Sequence, residues 1–297
     1  MRDLKGYGQH LPNIRWPQHE HAGVPRVAVS FVVNFEEGAE FSVTDGDSHN
    51  EAVYEVTDRQ RVADACIDSH FEYGTRVGYW RIAALFERFG VPFTLSACGR
   101  AVERSPWLAR DAVARGHEVS AHGYRWEKHL EMDEATERAN IQAAARAITN
   151  ATGTPPAGWH TRSSPSPNTR RLLAENGFLY DSDAYNDDTP YFVPIAGKLH
   201  LVLPYAFDTN DMHFQHSDRF GTGRDFSQYV CDAYDWLDRE GEHKPRMLSV
   251  GLHLRMIARP GRIGALECIL EHIAQRNTAW VTTRRAIAEH WISANRD

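Results

Sequence analysis

The clearest pattern in the chain is an apolar run, Val27–Val33, broken only by Ser30 and followed by Asn34-Phe35-Glu36-Glu37-Gly38. The run is continuous rather than alternating, so it predicts a strand buried on both faces. Two adjacent carboxylates then stand at the strand's C-terminal end, and Gly38 lets the chain turn away. In α/β folds that end of a sheet is where ligands bind.

Helical and strand periods alternate along much of the remaining chain. Trp80, Ala83, Ala84, Leu85 and Phe89 form one face of a helix beginning near Val77 and closed by Gly90. Pro92–Ala97 reads as a short strand, and Ser105-Pro106 opens a helix that Gly116 ends. Glu118–Ala121 is a strand, Asp133 caps a helix through Asn150, and Ala157–Thr161 is a strand after the Gly153–Pro156 turn. Asn168 caps a helix through Glu175, and strands follow at Phe178–Tyr180 and Leu199–Pro204. Helices at Phe226–Leu237, Ile263–Ala274 and Arg284–Ile292 alternate with strands at Met247–Leu252 and Ala279–Thr282. Two stretches lack a period. Residues 1–24 read as an arm laid over the domain and fixed by Tyr7 and Trp16; residues 38–75 read as a long polar connection, of the kind that serves function or a subunit contact. No linker or compositional break interrupts the alternation. Residues 1–297 are therefore expected to form a single α/β domain with a mainly parallel sheet, closed or nearly closed into a barrel.

Composition narrows the function. A net charge of −7 disfavours a nucleic-acid partner, and no apolar run approaches a membrane span, so a cytoplasmic protein is expected. Cys66, Cys98, Cys231 and Cys268 are far apart, show no metal spacing, and read as ordinary buried thiols.

Polar clusters recur where strands end: Glu36-Glu37, His122, His160 with Arg162, Asp181 with Asp183, and His253 with Arg255. Parallel strands bring these ends to one face. The residue types suit amide hydrolysis. A glutamate can act as general base on water, and a histidine can protonate the leaving nitrogen or stabilise the oxyanion. Arg162 or Arg255 can hold a carbonyl or ureido group, and Asp181 and Asp183 can accept from N–H groups.

Asn34-Phe35-Glu36-Glu37-Gly38, Ser120–Trp126 and Leu252-His253 resemble the three motifs of the polysaccharide deacetylase (NodB-homology) superfamily, with glutamates in place of its paired aspartates. Further stretches are similar to one branch, the PuuE-type bacterial allantoinases: Glu72-Tyr73-Gly74, His122–Trp126, Pro167–Arg171, Tyr180–Asp183, Asp208–Met212 and Gly251–Pro260. The resemblance implies a distorted (β/α) barrel, hydrolysis of a C–N bond in a cyclic ureide or imide, and a homo-oligomer, with a tetramer expected. It also bears on the metal. Metal-dependent members use an aspartate and two histidines at i and i+4, but here i+4 from His122 is Trp126, which cannot ligate. No cofactor is therefore expected; the alternative is one zinc or other divalent ion near Glu37 and His122, with His129 or Glu127 as substitute ligand. The candidate catalytic residues are Glu36, Glu37, His122 and His253, and the candidate substrate-binding residues are Trp126, His160, Arg162, Asp181, Asp183 and Arg255. Gly158–Ser166 departs from the allantoinase pattern, with His160 where that branch carries tyrosine. This leaves allantoin, a hydantoin, another cyclic imide or an N-acetyl compound open as substrate.

Overall fold

The computed structural model describes residues 14–17, 24–53, 56, 60–215 and 220–295. Its centre is the first apolar run. Strand β1 (Val27–Phe35) is buried at every position, as the unbroken pattern requires. It pairs in parallel with β2 (Thr94–Ala97) on one side and β8 (Arg246–His253) on the other, while β9 (Ala279–Val281) pairs with its first three residues. Next to β2 the sheet continues through β3 (Glu118–Ala121), β4 (Gly158–Trp159), β5 (Tyr180–Asp181) and β7 (Lys198–Val202), all in parallel. A hairpin partner, β6 (Tyr191–Ile195), pairs antiparallel with β7 and was not anticipated from the sequence.

The sheet is mostly parallel and curls into a distorted barrel, as expected. Strand pairing stops at β8, whose far edge is covered by the segment after β7. Gly251 N–H donates to the Thr209 carbonyl at 2.9 Å, and the Thr209 hydroxyl donates to the Ser249 carbonyl at 2.6 Å. Arg284 fills the interior beside this seam. Its guanidinium donates to Ser30, Ser182, Ser249 and the carbonyls of Leu203 and Pro204, all of them neutral acceptors.

Helices α2 (Tyr79–Phe89), α4 (Pro106–Ala114), α5 (Glu134–Thr152), α6 (Thr169–Glu175), α7 (Gly223–Glu240), α8 (Pro260–Ala274) and α9 (Arg284–Ala294) agree with the expected positions, although α7 starts earlier than Phe226. The reason lies in a capping box, in which Thr222 accepts from Asp225 N–H while the Asp225 carboxylate accepts from Thr222 N–H. A short helix, α3 (Gly99–Arg104), was not foreseen.

The larger correction concerns residues 38–75. Helix α1 (Ala65–Tyr73) lies within that stretch, capped by Asp64 and burying Ile67 and Phe71, and it runs through a wide turn at Gly74–Gly78 into α2. A Cβ at Gly74 would collide with the Glu37 carboxylate, so glycine is what lets this turn sit against the end of β1. Trp16 is buried as expected of the arm, and its indole donates to the Arg246 carbonyl at 2.9 Å; Tyr7 lies outside the described residues. Cys98 and Cys231 are buried, but Cys66 and Cys268 sit on outward helix faces and are exposed. No helix among the described residues is long and apolar enough to cross a membrane.

Candidate active site

Register sets the site. Side chains two residues apart on a strand share a face, so Asn34 and Glu36 point together while Phe35 packs into the core. Asn34 is directly opposite His253 in the β1–β8 pairing, and the pairing of Ala121 with Trp159 brings the next residues, His122 and His160, level. These side chains border a cavity of about 360 Å³. Trp126, Arg162 and Tyr205 add to its lining, as do Tyr185 and Phe207, whose rings stack 3.7 Å apart and are 37% and 53% exposed.

Glu36 is the electrostatic centre. Its Oε1 lies 3.3 Å from His122 Nε2 and 3.4 Å from His253 Nε2, and its Oε2 lies 2.7 Å from the Arg255 guanidinium. Burial alone would raise its pKa, but the charges of Arg255 and His253 and the bonds from both histidines hold it well below the usual carboxylate range. His253 responds in the opposite sense. Burial disfavours its charge, but Glu36 and Asp211 outweigh that and hold its pKa at about 9. Its Nδ1–H donates to Asp211 at 2.6 Å, and Asp211 also accepts the backbone N–H groups of His253 and Ile257. The ring is thus fixed with a protonated Nε2 on Glu36. His122 is held differently: its Nδ1 lies 2.7 Å from the His160 carbonyl, which can only accept, so Nδ1 carries a proton and Nε2 is turned to Glu36.

His160 stacks on His122 at 5.2 Å and lies 4.6 Å from Tyr205. Burial pushes its pKa down against the opposing pull of Asp183, which lies 3.1 Å from its Nδ1. Arg162 lines the cavity with its guanidinium 3.5 Å over the Trp126 ring, but both its terminal nitrogens bond Glu51.

Four residues expected to touch substrate or water are placed otherwise. Asp181 is buried between Arg170 and His200 and does not border the cavity. Asp183 accepts from His160, Thr161 N–H and the Thr161 hydroxyl, so it holds the wall in place. Arg255 is 1% exposed and committed to Glu36 and Glu37. Glu37 turns towards Arg255 and Gly74, away from the cavity, with its pKa raised by burial and by Glu36 against the pull of Arg255.

Sequence reasoning passed over Asn34, Tyr205 and Asp211. Asp211 lies in the polar stretch Asp208–Asp211, which three residues separate from the Leu199–Pro204 strand and which belongs to a stretch already similar to the allantoinase branch, and that was its available signal. Tyr205 directly follows that strand end, and Asn34 opens the motif Asn34-Phe35-Glu36-Glu37-Gly38, whose carboxylates drew the reading away from it.

The donor set does not fit the metal site of metal-dependent superfamily members. The carboxylate that should ligate, Glu37, is paired with Arg255. Trp126 occupies the second histidine's place, with the guanidiniums of Arg162 and Arg255 at 3.5 Å and 5.1 Å from its ring. His129 is fully buried and bonded to Glu137, and Glu127 accepts from Asn140. Glu36 already faces one guanidinium and one imidazolium, so a cation entering there would meet two positive charges. Among the described residues, no three His, Cys, Asp or Glu side chains are arranged to hold a metal ion.

Residues 59–180 match the polysaccharide deacetylase family model. A Schizosaccharomyces pombe protein assigned to the polysaccharide deacetylases is 38% identical, covering 98% of this chain and 96% of that protein. The crystal structure of PuuE allantoinase is similar with a TM-score of 0.91 and 44% identity, over 99% of this chain and 98% of that one. A Pseudomonas aeruginosa structure assigned to the polysaccharide deacetylases is similar with a TM-score of 0.92 and 45% identity, over the same shares of the two chains.

Proposed function

The chain belongs to the polysaccharide deacetylase family, whose members are hydrolases, and from that premise we propose that it opens the ring of a cyclic amide, allantoin or a related ureide, without a metal. The observation that carries this reading is the charge arrangement around Glu36. Arg255 is paired with Glu37, which stands where a metal-dependent relative carries its ligating carboxylate, and Arg255 and protonated His253 together neutralise Glu36 beside it.

The chemistry follows from the protonation states. A water molecule bonded to Glu36 Oε1 attacks the ring carbonyl carbon, and its proton is taken up by the Glu36–His122 pair, whose facing atoms lie 3.3 Å apart. Protonated His253 stabilises the developing oxyanion and then gives its Nε2 proton to the ring nitrogen as the C–N bond breaks. The products are a carboxylate and an open ureido or amide nitrogen. His253 recovers its proton from that pair through Glu36, which lies between the two rings, and the carboxylic acid's own proton leaves to solvent. No step needs a Lewis acid.

The testing experiment follows ring opening of allantoin and of hydantoin by the wild type, Glu36→Gln and His253→Ala. Ring opening that is lost in both variants supports the reading, and unchanged rates remove these residues from the mechanism. A second reading, hydrolysis of an N-acetyl group, is favoured by the relatives assigned to the polysaccharide deacetylases. The same assay run on N-acetylated sugars separates the two.

A further inference from the structure

One amide oxygen of a cavity-lining side chain has no partner among the described residues. Asn34 is 2% exposed, and its Oδ1 is buried and accepts no hydrogen bond among the described residues. The amide cannot be turned to remove this vacancy. Its Nδ2 donates to the Leu252 carbonyl at 3.1 Å, and a carbonyl can only accept, so Nδ2 must stay on that side. The second Nδ2 hydrogen goes to the Tyr205 hydroxyl at 3.1 Å, which also receives Asn210 Nδ2 at 3.4 Å. Tyr205 is thereby filled as an acceptor, while its own O–H proton meets no acceptor among the described residues. One buried acceptor and one buried donor are thus left over on two bonded side chains. Both border the same cavity, on the face of β1 that carries Glu36.

An orphaned buried acceptor costs free energy unless something fills it. Here the missing partner is an N–H, and its neighbour's missing partner is a lone pair. A secondary amide N–H beside a carbonyl presents that pair on one edge.

We infer that Asn34 and Tyr205 read the unsubstituted N–H/C=O edge of the ring, with Asn34 Oδ1 accepting the N–H and the Tyr205 hydroxyl donating to the carbonyl oxygen. This inference rests on the ring-opening reading and narrows its substrate class to cyclic amides whose ring nitrogen at that edge is unsubstituted. Asn34 and Tyr205 are recognition residues: neither exchanges a proton during the reaction. The pair holds the ring in one orientation, with a carbonyl turned towards Glu36 and His122.

The probes are hydantoin, 1-methylhydantoin and 3-methylhydantoin. Turnover is measured with the wild type and Tyr205→Phe, which removes only the hydroxyl; equilibrium binding is measured on Glu36→Gln carrying each substitution in turn. Wild-type turnover should fall on the order of 100-fold for one of the two methyl isomers and little for the other, because a site built around a hydrogen bond rejects the ligand that lacks it. Tyr205→Phe should lower kcat/KM for hydantoin roughly 10-fold while changing the poor methyl isomer little, so that discrimination shrinks by about that factor. Asn34→Ala in the Glu36→Gln background should abolish the difference in binding between hydantoin and that isomer. Asn34→Asp, which keeps the acceptor, should retain the difference, provided circular dichroism shows both variants folded. Equal discrimination in wild type and Tyr205→Phe overturns the inference. Rings that bind with this preference but never open refute the catalytic reading and leave the recognition pair standing. Rings that do not bind at all refute the pair.

Discussion

Replacing Asp211 with asparagine tests the electrostatics most sharply. The wild-type His253 ring holds its proton to about pH 9 against an ordinary 6.5, which is a few-hundred-fold in proton affinity or about 3 kcal/mol. Against burial, the charge of Glu36 is the largest single contribution to that gain, followed by the charge of Asp211 and its 2.6 Å hydrogen bond. An asparagine cannot reproduce the arrangement. One oxygen of Asp211 takes Nδ1–H and the other takes two backbone N–H groups, so an amide in either orientation presents its NH₂ to a donor. The variant should lose roughly 1–3 kcal/mol of stability from those unsatisfied groups. It should also lose on the order of 100-fold in kcat, because the proton donor is displaced.

The pH profile separates the two losses. Wild-type activity should fall as pH rises through about 9, where His253 loses its proton. In Asp211→Asn the falling limb should move to lower pH. Stability follows the same sign. The contribution of charged His253 is fully present below about 6.5 and is lost as pH rises through 9, so the wild type should lose stability across that window and the variant less. A wild-type rate still rising from pH 8 to 10, or a limb that does not move in the variant, would refute the assignment of His253 as the proton donor.

Other substitutions probe the supports of the site. Arg255→Met leaves Glu36 and Glu37 buried without their shared cation, and should cost about 3–5 kcal/mol and lower Tm by on the order of 10 °C in calorimetry; an unchanged Tm would show that the pair is not held this way. Arg284→Met removes the side-chain donor to the Leu203 carbonyl and one of the two to the Pro204 carbonyl, which keeps the Ser249 hydroxyl, and should lower the urea midpoint by an amount equivalent to roughly 2–4 kcal/mol. Gly74→Ala places a methyl group on the Glu37 carboxylate, so either the α1–α2 turn or Glu37 must shift, and a stability loss of roughly 1–3 kcal/mol is expected in the same titration.

The barrel was legible in the sequence because its strands are buried on both faces and its helices are amphipathic, and both periods survive tertiary packing. The hairpin strand β6 was missed because Tyr191–Ile195 carries a proline and lies half-exposed at the sheet edge, where no buried run announces it. Helix α1 was missed because it is short, polar on its outer face, and continues through glycines that ordinarily stop a helix. At the site, strand ends pointed correctly to Glu36, His122, His160 and His253 as cavity residues. They could not tell which charged neighbours face the cavity and which face one another. Asp181 and Arg255 have the right chemistry and position in the chain, yet their partners, Arg170, His200, Glu36 and Glu37, come largely from other elements and use up their capacity. Trp126 was the informative sequence departure. The structure adds that two guanidiniums flank its ring, so the lost histidine is replaced by positive charge as well as by an indole.

The central claim is that Glu36, His122 and His253 open a ring without a metal. Its most direct test is the ring-opening rate of protein dialysed against a strong chelator, with residual metal counted by mass spectrometry on the same sample. The account predicts full activity at far below one metal ion per chain and no gain when zinc, manganese or cobalt is added back. Activity that disappears with the metal and returns in proportion to one bound ion would contradict it.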